Sequence, residues 1–71
     1  MQYTLKELRA RKNLSQREVA KLCGVTETTY RSWESYPGKI QIKKLYLLAD
    51  IFNVKIDDIF VGVSTPFEVG R

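Results

Sequence analysis

Two helix-capping motifs lie only eleven residues apart near the start of the chain, and this spacing constrains the fold most. Thr4 and Ser15 are each followed three residues later by a glutamate, Glu7 and Glu18. In such a capping box the hydroxyl accepts a hydrogen bond from the glutamate backbone, and the carboxylate accepts one from the N-cap backbone. Both motifs predict helix starts, so the first helix can extend only to about residue 12 before the second begins.

The next two helices are predicted from turn residues and apolar spacing. The second helix should turn three apolar side chains inward: Val19, Ala20 and Leu22. It should end at Gly24, because glycine adopts the left-handed conformation of a C-cap at little cost. Thr26 is the predicted N-cap of a third helix over residues 27–34.

A fourth and a fifth helix follow the breaker cluster Tyr36-Pro37-Gly38. The fourth has apolar residues at positions i, i+3, i+4 and i+7, which are Leu45, Leu48, Ala49 and Phe52. Two aspartates favour a short fifth helix over 57–60, since acidic side chains suit a helix N-terminus. We therefore expect one compact, all-α domain of five helices over residues 1–60, and an extended or disordered tail over 61–71.

The composition excludes several classes of function. The chain has 71 residues, enough for one small domain, with one cysteine and no histidine. These counts exclude an internal disulfide, a zinc finger and catalysis by histidine, and the chain has no Gly-rich phosphate loop. No apolar run could span a membrane, and the N-terminus has no signal peptide. We expect a cytoplasmic protein that is not an enzyme and uses no metal or cofactor.

The charge of the chain is unevenly distributed. Ten basic and four acidic residues precede Leu45, a net charge of +6, whereas two basic and four acidic residues lie from Leu45 onward, a net charge of −2. Such an asymmetry indicates that the first part of the chain faces a polyanion.

Residues 16–33 have the spacing of a helix-turn-helix. Two helices that cross through a three-residue turn need a small residue where they touch, and Ala20 stands there. They also need a turn residue that tolerates positive φ, and Gly24 provides it.

The same region resembles a known family. Residues 14–26 (LSQREVAKLCGVT) and 30–34 (YRSWE), together with 48–60, resemble the lambda-repressor/Cro-like (Cro/C1-type, Xre) helix-turn-helix proteins. This resemblance implies a compact five-helix fold in which the third helix lies in the major groove of DNA.

The resemblance also implies roles for individual residues. The expected base-reading residues are Glu27, Thr28, Arg31 and Ser32. The expected phosphate-binding residues are Ser15, Gln16, Thr26, Tyr36, Gly38 and Lys39. Arg9 and Glu34 stand where the family joins its first helix to the end of its third by an ion pair. A carboxylate at Glu27 suits the helix dipole and can accept from cytosine N4, although it repels phosphate.

These inferences predict a transcriptional regulator, a repressor, that binds a palindromic double-stranded operator as a weak homodimer. The alternative is a protein-interaction module, such as an antitoxin whose DNA binding is secondary. Candidate dimer contacts are Ile56, Ile59, Phe60 and residues 61–63. The competing interpretation is that Ile59 and Phe60 only close the monomer core.

Other residues also have two interpretations. Tyr30 and Trp33 are spaced as core residues, but they could stack on single-stranded nucleic acid. Cys23 is interpreted as a small buried apolar residue rather than a redox group. Lys43 and Lys44 are interpreted as solvated, with electrostatic steering of DNA as the alternative.

Overall fold

The computed structural model of the chain describes residues 2–61. They form four α-helices: α1 (Leu5–Arg11), α2 (Gln16–Cys23), α3 (Glu27–Ser35) and α4 (Ile42–Phe52). Single 3-10 turns follow at Pro37–Lys39, after α3, and at Ile56–Asp58, after α4. The all-helical prediction is confirmed for these residues, which contain no strand. All but the first residue of the predicted tail lie outside them.

Both predicted capping boxes are formed. The Thr4 hydroxyl accepts from the Glu7 N–H at 3.1 Å, and the Glu7 carboxylate accepts from the Thr4 N–H at 2.8 Å. Ser15 and Glu18 repeat this exchange at 3.0 and 2.8 Å. The hydrogen bonds from the backbone and side chain of Ser15 hold the pKa of Glu18 below its usual range.

The segment predicted as a fifth helix is instead a 3-10 turn over Ile56–Asp58. The chain leaves this turn to pair with the N-terminus. Tyr3 N–H donates to the Asp58 carbonyl at 2.7 Å, and Phe60 N–H donates to the Tyr3 carbonyl at 2.8 Å. Because this bridge draws Ile59 into an extended conformation, the helix cannot continue toward residue 60.

The core lies where the four helices meet. Its largest fully buried side chains are Leu8, Val19, Tyr30 and Leu48. Trp33 packs edge-on against Tyr30, with ring centroids 6.1 Å apart, and is 7% exposed. Both aromatic residues are therefore core residues, which removes the stacking alternative. Cys23 is also buried, as predicted.

Leu22 is not buried, contrary to the prediction. Its side chain is 57% exposed, whereas Val19, Ala20 and Cys23 are buried. Those three positions share one arc of α2, and Leu22 lies outside that arc because a helix advances about 100° per residue. Ile59 is 2% exposed, so it closes the monomer core rather than offering a dimer contact.

Gly24 ends α2 in the left-handed conformation, with φ +72°. We expect Gly24→Ala to lower the free energy of unfolding by about 1–2 kcal/mol, because a Cβ disfavours this conformation. No atom lies within 4 Å of the site where that Cβ would stand, so the cost is conformational rather than steric.

Gly38→Ala is the matched control. Gly38 has no positive φ, and an added Cβ would meet only an ordinary 3.7 Å contact with the Val61 carbonyl. Chemical denaturation of both variants checks the prediction, and equal stabilities would contradict it.

Candidate nucleic-acid interface

Hydrogen bonds and core packing join α2, the turn over residues 24–26 and α3 into one unit. The Val25 N–H donates to the Ala20 carbonyl at 3.0 Å and closes the end of α2. The Thr26 hydroxyl then accepts from the Thr29 N–H at 3.1 Å and caps α3. Since Val19 and Tyr30 are fully buried, core packing sets the orientation of α3.

The outer face of α3 is polar and exposed. Thr28, Arg31 and Ser32 are exposed, and Glu27 is half-buried. The structure thus brings the four predicted base-reading residues onto one helix. Ser32 donates its hydroxyl to the Thr29 carbonyl at 2.7 Å. Its oxygen can still accept a hydrogen bond.

Glu27 and Arg31 are paired across one turn of α3. Arg31 Nη2 donates to Glu27 Oε2 at 2.7 Å, and the two side chains are 59% and 40% exposed, respectively. This i, i+4 pair was not predicted, although its spacing is visible in the sequence.

Gln16 links this pair to a second one. Its Nε2 donates to Glu34 Oε1 at 3.0 Å, and its Oε1 accepts from Arg31 Nε at 3.3 Å. The amide nitrogen has two N–H groups, so one remains for a phosphate. Ser15 and Thr26, the other predicted phosphate residues on these helices, serve as N-caps. The Thr26 hydroxyl donates to Thr29 Oγ1 at 3.0 Å, whereas the Ser15 hydroxyl retains its proton for another acceptor.

The loop after α3 carries the remaining predicted phosphate residues. Tyr36 is 62% exposed, and Lys39 Nζ lies 5.1 Å from the centroid of the Tyr36 ring. Gly38 is also exposed. The loop thus presents a cation, a phenol and an accessible backbone directly beyond the end of α3.

Arg9 and Glu34 tie α1 to the end of α3. Arg9 Nε and Glu34 Oε2 lie 2.7 Å apart, and the side chains are only 18% and 10% exposed. Arg9 Nη1 also donates to the Leu14 carbonyl at 3.1 Å. The hydrogen bond with Glu34 raises the pKa of Arg9 even though burial opposes this.

The Glu34 carboxylate is held ionised by its neighbours. Burial raises the pKa of Glu34, but hydrogen bonds from Arg9 and Gln16, together with the nearby Tyr30 hydroxyl, outweigh burial and lower it. The Tyr30 hydroxyl is buried near Glu34, and within residues 2–61 it makes no hydrogen bond of ordinary geometry. Burial, followed by the nearby Glu34 carboxylate, raises the pKa of Tyr30 far above its usual range, so Tyr30 stays neutral.

We expect the stabilising effect of Glu34 to disappear in acid. Because folding lowers the pKa of this carboxylate, its contribution is complete above the unfolded pKa of about 4.5 and is lost as the pH falls through the folded-state pKa. Urea unfolding of the wild-type chain and Glu34→Gln from pH 7 to about pH 2.5 measures this. The stability difference between them should shrink toward zero in acid, and a constant difference would refute the assignment.

Lys44 has a structural role that the sequence did not indicate. Its Nζ donates to the carbonyl of Cys23, the last residue of α2, at 2.9 Å, and the side chain is half-buried. A cation at a helix C-terminus interacts favourably with the helix dipole and satisfies a free carbonyl. The interpretation of Lys44 as a solvated residue is therefore wrong, whereas its neighbour Lys43 is exposed.

We expect Lys44→Met to lower the free energy of unfolding by about 1–2 kcal/mol, because a hydrogen bond from a charged group is lost at a helix end. Lys43→Met removes the same charge from an exposed position on the same helix, and we expect it to change stability by less than about 0.5 kcal/mol. Equal losses in the two variants, measured by thermal and urea unfolding, would contradict a specific role for Lys44.

Two kinds of feature are not found among the described residues: a cluster of metal ligands and a membrane-spanning helix. Within residues 2–61 there is no group of three or more His, Cys, Asp or Glu side chains that could hold a metal ion. None of the helices in that part of the chain is long and apolar enough to cross a membrane. The arrangement can present hydrogen-bond donors, acceptors and positive charge along one helix and its flanking loop.

Comparison with known proteins gives matches over nearly the whole described region. A family model described as "Helix-turn-helix" matches residues 5–59. An uncharacterized HTH-type transcriptional regulator of Archaeoglobus fulgidus is 39% identical over 61 residues, which cover 86% of each chain. One of Methanocaldococcus jannaschii is 38% identical over 86% of this chain and 92% of its own. The HTH-type transcriptional activator BcrR of Enterococcus faecalis is 34% identical over 82% of this chain and 28% of its own. No solved structure gives a significant match.

Proposed function

Because the chain belongs to the lambda-repressor-like helix-turn-helix family of DNA-binding transcriptional regulators, we propose that it binds double-stranded DNA sequence-specifically, with α3 in the major groove. The observation that carries this proposal is the exposed polar face of α3. A helix that buries Tyr30 and Trp33 on one side and exposes Thr28, Arg31 and Ser32 on the other is oriented by the core and free to contact base edges.

We assign base reading to Glu27, Thr28, Arg31 and Ser32, because all four belong to α3 and none is fully buried. The phosphate contacts come from both sides of that helix. On one side they come from the α2 and α3 N-termini, through Ser15, Gln16 and Thr26, where backbone N–H groups favour anions. On the other they come from the loop, through Tyr36, Gly38 and Lys39.

We propose that two protomers bind a palindromic operator, because one recognition helix covers too few base pairs for typical specific affinity. Their half-sites then lie about one helical turn, or roughly 34–36 Å, apart. Of the expected dimer contacts, Ile59 lies in the core, Ile56 is half-buried and Phe60 is exposed. We therefore place the weak dimer contact on Phe60 and on two exposed apolar side chains of α4, Ile42 and Tyr46.

We propose repression as the regulatory outcome, by occupation of the operator. One relative is named an activator, so the sign of regulation needs its own measurement. A reporter gene placed behind the recovered operator supplies it: expression should fall when the chain is produced, and a rise would identify an activator.

Selection of bound sequences from a random duplex library tests the DNA-binding proposal directly. A palindromic consensus is the expected result, and it yields function, symmetry and half-site spacing together. Thr28→Ala and Ser32→Ala should each change the preferred base at one position, whereas Gln16→Ala should weaken binding to every duplex, because it removes a phosphate contact. Failure to enrich any sequence, with a folded protein, would overturn the proposal. Copurification with a toxin-like partner in place of DNA would support the alternative of an interaction module.

A further inference from the structure

Glu27 and Arg31 neutralise each other's charge, and this ion pair, the Glu27–Arg31 unit, leaves some of its hydrogen-bond donors and acceptors unused. Arg31 uses two of the five N–H groups of its guanidinium, one on Glu27 and one on Gln16. Three N–H donors remain. Glu27 uses only Oε2 in the pair, so Oε1 remains as an acceptor. The unit therefore presents donors beside an acceptor on the exposed face of α3.

The guanidinium is held from two helices. Glu27, on α3, contacts Nη2 at 2.7 Å, and Gln16, on α2, contacts Nε at 3.3 Å. Gln16 is itself hydrogen-bonded to Glu34, which belongs to the largely buried pair with Arg9. Arg31 is thus tied to the protein core, whereas an ordinary exposed i, i+4 pair has only its partner on the same helix.

This pattern complements one base pair. In the major groove a G·C pair presents two acceptors, guanine N7 and O6, beside a donor, cytosine N4. An A·T pair presents an acceptor, a donor and an acceptor, which would set adenine N6 against an arginine donor. A phosphate offers only acceptors and would repel the carboxylate of Glu27.

We propose that the Glu27–Arg31 unit reads a single G·C base pair in each half-site, and that Glu27 is a specificity-determining residue. This inference rests on the proposed DNA-binding function. Arg31 donates to guanine N7 and O6 while Glu27 accepts from cytosine N4. On other sequences Glu27 keeps Arg31 neutralised and disfavours close approach of phosphates, which suppresses non-specific binding.

The test uses the full chain and duplexes carrying the operator recovered by selection. Each G·C pair of a half-site is replaced in turn by A·T, and binding of wild-type, Glu27→Gln and Asp50→Asn proteins is measured. Asp50→Asn is the matched control, since it also removes one negative charge from a helix, but at an exposed position of α4. Circular dichroism confirms that each variant is folded.

For the wild-type chain, we expect replacement of one G·C pair by A·T to weaken binding about tenfold. A loss of affinity of this size is typical when a base pair that the protein contacts directly is changed. In Glu27→Gln this preference should fall to about threefold or less, because an amide can also donate to O4 of the thymine that replaces cytosine. Affinity for a scrambled duplex should rise more in Glu27→Gln than in Asp50→Asn. Arg31→Gln is the second variant, and it should lose the same preference at the same position.

Two results would overturn the inference while leaving the proposed function intact. One is a Glu27→Gln protein that keeps every base preference of the wild-type chain. The other is a Glu27→Gln protein whose affinities for operator and scrambled duplexes change by the same factors as those of Asp50→Asn. That result would show that Glu27 acts only through the net charge of the protein. If the wild-type chain itself selects no sequence, the DNA-binding proposal fails, and this inference fails with it.

Discussion

The affinity of the chain for its operator should fall about 100-fold when the salt concentration rises from about 50 to 200 mM. Each phosphate that a cation neutralises releases counterions, and four such contacts per duplex give a slope near −3.6 in log K against log salt. The charge distribution supports a steep dependence on salt: the residues before Leu45 carry a net charge of +6, and they include Lys39 in the loop after α3.

Lys39→Gln and Lys55→Gln provide a matched pair for this prediction, since both lysines are exposed and neither lies in an α-helix. Removal of Lys39 should lower the magnitude of the slope by about one for each protomer, whereas removal of Lys55 should leave it unchanged. Titrations by fluorescence anisotropy at several salt concentrations measure both slopes. An affinity independent of salt would argue against phosphate contacts altogether.

Arg9→Ala and Glu34→Ala should each lower the free energy of unfolding by about 2–4 kcal/mol. Exposed ion pairs contribute about 0–1 kcal/mol, but removal of one partner of a buried pair costs about 3–5 kcal/mol because the other charge is left desolvated. With side chains 18% and 10% exposed, this pair lies near the buried limit. Either substitution also breaks hydrogen bonds to a neighbour, Leu14 for Arg9 and Gln16 for Glu34.

A double-mutant cycle separates the pair from these neighbours. We expect a coupling energy of about 1.5–3 kcal/mol, because the double variant loses both charges together and leaves neither one unpaired. Lys6→Ala, an exposed substitution on the same helix as Arg9, is the control and should be neutral within about 0.5 kcal/mol. A coupling energy indistinguishable from zero would show that the 2.7 Å contact does not stabilise the fold.

The sequence identified the residues of the candidate interface but not the hydrogen bonds among them. The resemblance assigned base reading to Glu27 and Arg31 and phosphate binding to Gln16, and the structure brings these three side chains into contact. It did not indicate that they are hydrogen-bonded to one another. When a role is assigned to one residue at a time, its side chain is taken to be free. Hydrogen bonds within the protein already occupy some of the donors and acceptors of these side chains in the absence of DNA.

The helix starts and the helix-turn-helix were determined by the sequence alone, because their causes are local. A capping box joins residues three apart, and the left-handed φ of Gly24 follows from its lack of a Cβ. The apolar spacing of α3 and α4 likewise depends only on helical periodicity, and it identified Tyr30, Trp33 and Leu48 as core residues.

The tertiary structure alone decided the features that depend on contacts between distant residues. The bridge from Tyr3 to Ile59 replaced the predicted fifth helix with a 3-10 turn, and Lys44 became the cap of a helix 21 residues earlier. Leu22 became exposed because α3 and α4 cover a different arc of α2. In each case the local sequence pattern allowed more than one arrangement. Long-range hydrogen bonds, and the packing of helix faces against the core, select the arrangement that forms.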